Sequence, residues 1–583
     1  MSVLLTVSLS AGLPLSAASY VDVVKMRTEN RVNPLGIGTS TPRFSWQITS
    51  DRKGVVQTSY QILVASSKEK LDRNEADLWD SGERNSDEQL WIPYQGKALL
   101  SGAQAYWKVR ITTNKGKSEW TEPQLFTIGL LGETKWSGTW IGLEDLQPGE
   151  QKGMHTRLAA RYIRKDFATK GKVKRAVAYV AGLGVYEFYV NGQRMGGSQA
   201  LQPAPTDYRK TIYYNTFDVT SLLTEKNAIA IKLGNGRMFP MRLEKAYKTP
   251  FFGYPKCRIN VKVEYENGKT ETWATNNTWK LSFDGPIRSN NEYDGEEYDA
   301  RREQALKGWT QAGFDDSQWQ KAERCAIPDG TLMAQPMTGM VEKEFGHPVS
   351  LKHRHDTLIV DFGQNMAGWI GFQVRGRQGD TIRVKYAEKL QADGSLYLDN
   401  FRNALSEDVY VCNGKENGKL WRPAFSFHGF RYAAITGMKK ARKENFTAYT
   451  VSDEMATIGH IETSDTILNK VLENAWWGIY SNYKGMPVDC PQRNERQPWL
   501  GDRTVGSLGE SFVFDNERLY SKWMHDICDA QRSDGNIPDV APAFWNYYTD
   551  DVTWPSALPF TCDMLYHQFG NKQPIIDSYP SIR

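Results

Sequence analysis

The sequence contains few cysteines and no clustered ones: six in 583 residues, with no C-x-x-C pair among them. Disulfide scaffolds are dense in cysteine, and structural zinc sites place their cysteines in close pairs. The spacing therefore excludes both classes, and we expect the cysteines to be free or sparsely paired.

An excess of charge of one sign is also lacking. The chain has 72 basic and 68 acidic residues, and no block of like charges stands out. Proteins that bind nucleic acid or an anionic membrane surface usually carry a strongly basic patch. The balance indicates neither partner.

Long hydrophobic runs are missing too, because nothing after the N-terminus approaches the roughly 20 apolar residues of a membrane span. The segment MSVLLTVSLSAGLPLSAAS, residues 1–19, is apolar and uncharged, ends in small residues and gives way to polar sequence at Tyr20. It is typical of a secretory signal, although no basic residue precedes the apolar run, and a short buried strand is the alternative. We expect no membrane span and a secreted or periplasmic protein.

Between residue 20 and about 450 the period of an amphipathic helix is absent, and alternation with period two takes its place. In YWKVRITT, Trp107, Val109 and Ile111 fall on one face, with Lys108 and Arg110 on the other. This pattern predicts a strand with one apolar and one wet face. Turn clusters separate several such runs, which favours a small antiparallel sandwich over 20–128.

The alternation continues through two further regions. VYEFYVNGQ contains Asn191 and Gly192, a pair that tolerates positive φ and favours a tight hairpin turn. Later runs alternate apolar residues at Ile229, Ile231, Leu233, Ile382, Val384 and Tyr386. We predict a second β-sandwich at 129–335 and a third at 336–452.

Helical periodicity begins at about residue 453. In SDTILNKVLENAWWGIYSNY apolar positions step by four from Ile467 and Val471 onward, and Asp465 or the serine before it can cap the helix. DNERLYSKWMHDICDAQR repeats the pattern, and PSALPFTCDMLYHQFG ends at Gly570, a helix stop signal. These three stretches are predicted to be helices, joined by loops.

The loop between the first two predicted helices is dense in side chains that could do chemistry. DCPQRNERQPWLGD, residues 489–502, holds the acids Asp489, Glu495 and Asp502 together with Arg493 and Trp499. Cleavage of a glycosidic bond needs two carboxyl groups and an apolar wall for the sugar ring. The composition indicates a sugar site, and a structural salt-bridge cluster is the alternative that these residues leave open.

A second stretch, SDGNIPDVAPAFWNYYTDDVTWPSALPF, again combines acids with aromatic residues: Asp534, Asp539, Asp550, Asp551, Trp545, Tyr547 and Trp554. A capped, aromatic-packed loop is the alternative interpretation. In a barrel of paired helices, loops at one end converge on a single cavity, so two such loops favour a sugar pocket.

Taken in order, DCPQRNERQPWLGD, DGNIPDVAP and DDVTWP resemble the catalytic core of bacterial alpha-L-rhamnosidases. NPLGIGTSTPRFSWQI resembles that family's fibronectin type III-like module, and GVYEFYVNGQRMG and DFGQNMAGWIGFQVRG resemble its accessory sandwiches. The resemblance extends over nearly all of residues 25–570. It implies a multidomain fold of several antiparallel β-sandwiches followed by part of an (α/α)6 toroid at 453–583.

The family consists of inverting hydrolases of terminal alpha-L-rhamnose, so the implied partner is a rhamnose-containing glycan or glycoside. Matched position by position, the resemblance implies that Glu495 is the general acid. It also implies a substrate-binding set of Asp489, Arg493, Trp499, Asp502 and Trp554. One departure is Asn494, which stands where a second acid is common. No cofactor is implied, and the calcium that an accessory sandwich binds in some relatives has no matching ligand cluster here.

Residues 453–583 can hold roughly five or six helices, at about 12 residues each plus connections. The complete toroid needs about twice that number. In the family the catalytic base lies on a later part of the toroid, beyond Arg583. We therefore expect this chain alone to be inactive and assign no base. A non-catalytic carbohydrate-binding protein and a different (α/α)6 glycosidase stay open as alternatives.

Overall fold

The computed structural model describes residues 21–152, 155–239, 250–438, 441–549 and 551–583. The predicted signal segment and Asp550 lie outside the described residues. The chain divides into two compact units, Met1–Ile128 and Gly129–Arg583. Each is described below by itself.

The first unit is built from antiparallel strands in a three-stranded sheet, β1-β2-β5, and a five-stranded sheet in which β8 joins β6 beside β4-β3-β6-β7. Phe44, Trp46 and Trp107 are fully buried in its core. The elements are β1 Asp22–Thr28, β2 Arg43–Thr49, β3 Gln57–Ala65, α1 Lys68–Asp72, β4 Trp79–Asp80, β5 Ile92–Pro93, β6 Gln104–Thr113, β7 Gly116–Lys117 and β8 Gln124–Thr127.

The structure confirms the predicted apolar face of β6 but not the whole of its predicted wet face. Trp107, Val109 and Ile111 are buried as expected, but Lys108 is buried too. Its Nζ donates to the Leu71 carbonyl at 2.5 Å and to Asn74 Oδ1 at 2.7 Å. Because α1 covers this side of the sheet, Lys108 finds its partners at the end of that helix, where a cation is favoured.

The second unit begins with a sandwich of a six-stranded and a seven-stranded sheet that share one apolar core. The predicted Asn-Gly turn is confirmed: Asn191 and Gly192 have positive φ and join β12 to β13. This part of the chain contains β9 Ile141–Gly142, β10 Arg161–Ala168, β11 Val173–Leu183, β12 Val185–Val190, β13 Gln193–Arg194, β14 Thr211–Asp218, β15 Lys226–Gly234, β16 Lys256–Tyr265, β17 Thr270–Ala274, β18 Lys280–Ser282, β19 Ile287–Asn291, β20 Gly295–Asp299, β21 Gln320–Lys321, β22 Glu323–Arg324 and β23 Thr331–Ala334. All of them except β19 and β20 belong to the two sheets of this sandwich.

A ten-stranded sheet follows, in the order β19-β20-β30-β27-β32-β26-β33-β24, with β25 and β31 both on β26. The hairpin β19–β20 joins this later sheet by parallel pairing of β20 with β30. The strands after β23 are β24 Met340–Gly346, β25 Ser350–Arg354, β26 Thr357–Gln373, β27 Thr381–Ala387, β28 Lys389–Leu390, β29 Leu396–Tyr397, β30 Glu407–Val411, β31 Leu420–Trp421, β32 His428–Thr436 and β33 Phe446–Asp453. Of these, β28 and β29 form a separate two-stranded sheet.

Helices follow β33, as the change of period predicts. They are α2 Thr466–Ser481, α3 Leu500–Ser511, α4 Glu517–Ala530, α5 Ala557–Phe569 and α6 Gln573–Ile582. Asp465 caps α2 through the backbone N–H groups of Ile467 and Leu468, and Gly570 ends α5 in the left-handed conformation. The predicted fold class, β-sandwiches followed by helical hairpins, is confirmed.

Two details of the helical segment differ from the prediction. Ile467 and Val471 are 75 % and 55 % exposed, because α2 packs on the protein through its C-terminal residues, including Trp477 and Tyr480. The helix α3 was not predicted at all. None of the helices in the described ranges is long and apolar enough to cross a bilayer.

Candidate active site

The loop between α2 and α3 is closed by bonds between two of its residues. Asp489 Oδ1 accepts a hydrogen bond from the Gln497 backbone N–H at 2.9 Å, and the Asp489 N–H donates to the Gln497 carbonyl at 3.0 Å. Pro491 and Pro498 lie in the same stretch and deny it a continuous helix. The side chains between them are therefore held on irregular backbone of fixed geometry.

Glu495 lies in this loop with three donor groups around its carboxylate, although the residue is only 7 % exposed. Trp499 Nε1 donates to Oε1 at 3.0 Å. Oε2 lies 2.9 Å from Arg493 Nε and 3.0 Å from Arg402 Nη1. Two guanidinium groups thus balance one buried negative charge, and without such partners its burial would be costly.

Asp489 is a second carboxyl group beside Glu495. Its Oδ2 accepts a bond from Cys490 Sγ at 2.8 Å and lies 3.6 Å from Arg493 Nη2. Burial raises the pKa of Asp489 to about 6; the Cys490 bond opposes this rise, and the charge of Glu495 adds to it. Asp489 can therefore hold a proton in mildly acidic solution, whereas a solvated aspartate would be ionised.

The two acid-aromatic loops are in contact. The Leu500 N–H donates to the Asp539 carbonyl at 2.9 Å, and the Ala541 N–H donates to the Pro498 carbonyl at 3.3 Å. Trp499 also makes edge-to-face contacts with Trp545 and Tyr547, with ring centroids 6.2 and 5.6 Å apart. An aromatic wall thus stands next to the Glu495 carboxylate.

Trp554 lies in the same region, where its ring packs against Gly501. A Cβ added at Gly501, the second residue of α3, would come within 2.4 Å of the Trp554 ring. Only a residue without a side chain permits this approach. The contact places Trp554 against the start of α3, directly after Trp499 and Leu500.

The other sequence candidates lie outside the buried cluster. Asp502 is exposed and lies in the first turn of α3, whereas the sequence placed it in the loop. A negative charge is favourable at this end of a helix. Asp534 and Asp551 are exposed and accept bonds from the nearby backbone N–H groups of Asn536 and Thr553. Asp539 is buried, and the Thr549 hydroxyl, 3.0 Å from both of its carboxylate oxygens, donates one hydrogen bond to it.

Arg496 was not singled out in the sequence and is fully buried. Its Nη1 donates to the Phe427 carbonyl at 2.8 Å and to the Glu292 carbonyl, and its guanidinium lies 4.4 Å from the Phe427 ring. Burial lowers the pKa of Arg496 to about 10, so it remains charged at neutral pH. Arg496 joins the loop to the hairpin β19–β20 and to the segment before β32.

Tyr293 and Arg402 complete the contacts that the sequence did not reveal. Tyr293, at the tip of the hairpin β19–β20, donates its hydroxyl to the Glu495 carbonyl at 2.9 Å. Arg402 follows a short turn between β29 and β30 and has positive φ. Both residues come from distant segments, and nothing in their local sequence indicates that they meet Glu495.

Asp489, Cys490 and Glu495 place their potential ligand atoms within 4.8 Å of one another, the one such grouping found in the described ranges. The chemistry does not suit a metal ion. Two guanidinium groups already balance Glu495, and burial raises the pKa of the Cys490 thiol, which keeps it protonated. This grouping lies in the helical segment, so the calcium role of an accessory sandwich gains no candidate from it.

Four family models match successive parts of the chain. Their descriptions are Rha78A-like N-terminal immunoglobulin domain over residues 23–132, alpha-L-rhamnosidase N-terminal domain over 171–344, bacterial alpha-L-rhamnosidase concanavalin-like domain over 351–452, and bacterial alpha-L-rhamnosidase 6 hairpin glycosidase domain over 456–583. The last match contains the loop with Glu495.

Individual relatives agree with these matches. A curated alpha-L-rhamnosidase from Alteromonas sp. (strain LOR) is 33 % identical over 95 % of this chain and 60 % of its own length. The structure of alpha-L-rhamnosidase from Dictyoglumus thermophilum has a TM-score of 0.88 and 35 % identity, covering 96 % of this chain and 63 % of that one. The Streptomyces avermitilis enzyme, crystallised with L-rhamnose, has a TM-score of 0.88 and 26 % identity, with coverage of 96 % and 70 %.

The chain spans 56 to 60 % of the length of the first three curated relatives. Within that span the similarity covers both the β-sandwiches and the helical segment. The order of motifs, the fold and the four matches agree: the chain belongs to the bacterial alpha-L-rhamnosidase family.

Proposed function

We propose that this protein hydrolyses terminal non-reducing alpha-L-rhamnose residues from glycans or glycosides with inversion, and that Glu495 is the general acid. The observation that carries the proposal is the Glu495 carboxylate, held by the Trp499 indole and two arginines inside a closed loop. A rigid loop keeps an acid at a constant position relative to the leaving oxygen, as general acid catalysis requires.

Proton delivery requires Glu495 to lose one of its guanidinium partners, to take up a proton from solvent, and to donate that proton to the glycosidic oxygen. Arg402 is the more exposed partner, with 43 % of its side chain accessible against 32 % for Arg493. We assign the displaced position to Arg402. Arg493 then keeps Glu495 and Asp489 oriented while the sugar binds.

We assign the binding of rhamnose to the remaining candidate residues. Trp499 and Trp554 supply apolar surface for the ring face and its C6 methyl group, as aromatic side chains do in sugar sites. Asp489 and Arg493 supply acceptors and donors for hydroxyl groups. Asp502 faces solvent at the start of α3, where it is available to a hydroxyl group of an entering substrate.

Inversion also needs a carboxylate across the sugar to activate water. We assign none of the described carboxylates to that role. Asp534 and Asp551 each bind a nearby backbone N–H group at the surface, and Asp539 is bound to Thr549.

We also propose a secreted or periplasmic location, which the apolar, uncharged segment 1–19 supports.

A panel of nitrophenyl glycosides tests the proposal, with the enzyme in an active full-length form. Turnover of the alpha-L-rhamnoside, with release of the inverted sugar seen by NMR, is the expected result. Turnover of a different glycoside alone would select another (α/α)6 glycosidase. Binding of L-rhamnose without turnover of any glycoside would select a non-catalytic carbohydrate-binding protein.

A further inference from the structure

A cleft of 690 Å³ opens in the β-part of the second unit. Its lining comes mainly from β10, β12, β15, from β20 and the segment after it, and from the turn between β30 and β31, and it includes no residue of the candidate active site. Small-molecule sites usually measure about 300 to 1,000 Å³. The cleft therefore has the size of an oligosaccharide site and is distinct from the loop that holds Glu495.

Four aromatic side chains line the cleft: Tyr162, Tyr189, Tyr298 and Trp309. Trp309 makes edge-to-face contacts with Tyr162 and Tyr189, with ring centroids 5.3 and 5.7 Å apart. Tyr298 is held by its hydroxyl, which donates to Glu303 Oε1 at 2.8 Å. Except for Tyr162, these rings are half-buried, so they are oriented by their neighbours and still present surface to a ligand.

Cations outnumber acids in the lining, which holds five basic side chains and Glu303 as its one acid. Three of the cations are balanced by ion pairs: Lys232 with Glu187 at 2.6 Å, Arg301 with Asp299 at 2.8 Å, and Lys419 with Glu303 at 2.9 Å. Lys307 and Lys415 are exposed, and neither forms an ion pair with any residue that the structure describes.

We infer that this cleft binds an anionic oligosaccharide. Sugar rings contact Trp309, Tyr189 and Tyr298, and a carboxylate or sulfate group of the ligand pairs with Lys307 and Lys415. A neutral glycan would use the aromatic surface but would leave both ammonium groups without a partner. An anionic sugar satisfies both features, because ammonium groups bind carboxylate and sulfate through charge-assisted hydrogen bonds.

Calorimetric titration of the purified chain with trigalacturonate, with a sulfated carrageenan disaccharide and with neutral maltotriose tests the inference. We expect one or both anions to bind more tightly than maltotriose, and to lose affinity as salt is added. Binding of trigalacturonate alone identifies a carboxylate site, and binding of the disaccharide alone identifies a sulfate site. Equal binding of all three sugars, or no binding of either anion, would overturn it.

Variants identify the cleft as the site. The double substitution Lys307→Ala with Lys415→Ala should weaken anion binding about two- to thirty-fold, since an exposed charge pair contributes about 0.2 to 1 kcal/mol. Trp309→Phe should weaken it less than Trp309→Ala. The matched control, Lys226→Ala with Lys269→Ala, removes two exposed lysines outside the cleft and should change nothing. Anion affinity unchanged in the double lysine variant would contradict the inference.

Discussion

At the scale of single residues, the proposed chemistry depends on the contacts of Glu495. Its carboxylate has two kinds of partner, an indole N–H at the start of α3 and two guanidinium groups. The indole bond orients the carboxylate, whereas the guanidinium groups balance its charge. Substitutions can separate these two effects.

Glu495→Gln tests the acid itself. Glutamine keeps the size and the hydrogen-bonding shape of glutamate but cannot donate the proton, so in the active full-length form kcat for a nitrophenyl rhamnoside should fall by about two to four orders of magnitude. Circular dichroism should show an unchanged fold. The control is Glu473→Gln, an exposed glutamate on α2, which should keep the parent rate. A parent rate in Glu495→Gln would refute the assignment.

Trp499→Phe tests the indole bond while it keeps an aromatic wall. A hydrogen bond to a charged group is worth about 1.5 to 3 kcal/mol, so kcat/KM should fall by about ten- to a hundred-fold. Trp476→Phe is the matched control, because it loses an indole bond to Thr457 that lies outside the site. Equal kinetics in the two variants would mean that the Trp499 N–H does not position Glu495.

At the scale of elements, the loop between α2 and α3 is shaped by the β-part of the same unit. Arg496 binds carbonyl groups of the hairpin β19–β20 and of the segment before β32, and Tyr293 binds the Glu495 carbonyl. The helix α3 begins at Leu500, after the residues of the loop that make these contacts. The geometry of the loop is therefore a property of several elements at once.

Arg496→Met should show this dependence. The change leaves buried carbonyl groups without their donor, and each such group costs about 1 to 3 kcal/mol. We expect the free energy of unfolding, measured with urea, to fall by about 3 kcal/mol or more. Arg377→Met, at a side chain that is 88 % exposed, should stay within about 0.5 kcal/mol of the parent. A parent-like urea midpoint in Arg496→Met would contradict the anchoring role.

Asp453, the last residue of β33, predicts a pH dependence. It is fully buried, and burial raises its pKa to about 6, against the bond from the Gly485 N–H and the charges of Lys484 and Lys522. Because the folded pKa lies above the ordinary value, the folded state favours the neutral carboxyl group of Asp453. This contribution to the free energy of unfolding is fully present below about pH 4 and is lost as the pH rises through about 6.

The free energy of unfolding should therefore carry a contribution from Asp453 that falls by about 2 to 3 kcal/mol between pH 4 and 7. Asp453→Asn keeps an acceptor for the Gly485 N–H and removes the titration. Urea midpoints measured across this range should fall less in Asp453→Asn than in the parent. Parallel curves for the two proteins would show that Asp453 does not titrate as its burial predicts.

At the scale of the whole molecule, the chain consists of two compact units with the first ending at Ile128. The first has its own buried core of Phe44, Trp46 and Trp107. We propose that it corresponds to the fibronectin type III-like domain at 20–128. For the second unit we propose sandwiches at 129–335 and 336–452 and a helical domain at 453–583, with the hairpin β19–β20 joining the later sheet.

Residues 21–128 produced alone should then fold. A closed core predicts a single cooperative thermal transition by circular dichroism, with dispersed amide signals by NMR. The destabilised variant Trp107→Ala, which empties the core, should melt at a lower temperature or not fold. A featureless melt of the parent fragment would show that its stability depends on the rest of the chain.

The sequence by itself determined the classes of the elements and the chemistry of the loop. Alternation with period two, the Asn191-Gly192 turn, the Asp465 cap and the Gly570 stop are local signals, and the structure confirms each. The carboxylates and aromatic residues of the loop were also visible, because the residue types themselves indicate sugar chemistry.

Only the tertiary structure decided which partners those residues have. Arg402 and Tyr293 reach Glu495 from distant segments, and α3 forms although its three glycines favour no helix. Lys108 is buried because α1 covers its face of the sheet. Such contacts depend on how elements pack against one another, whereas periodicity and turn chemistry report only the few residues on either side.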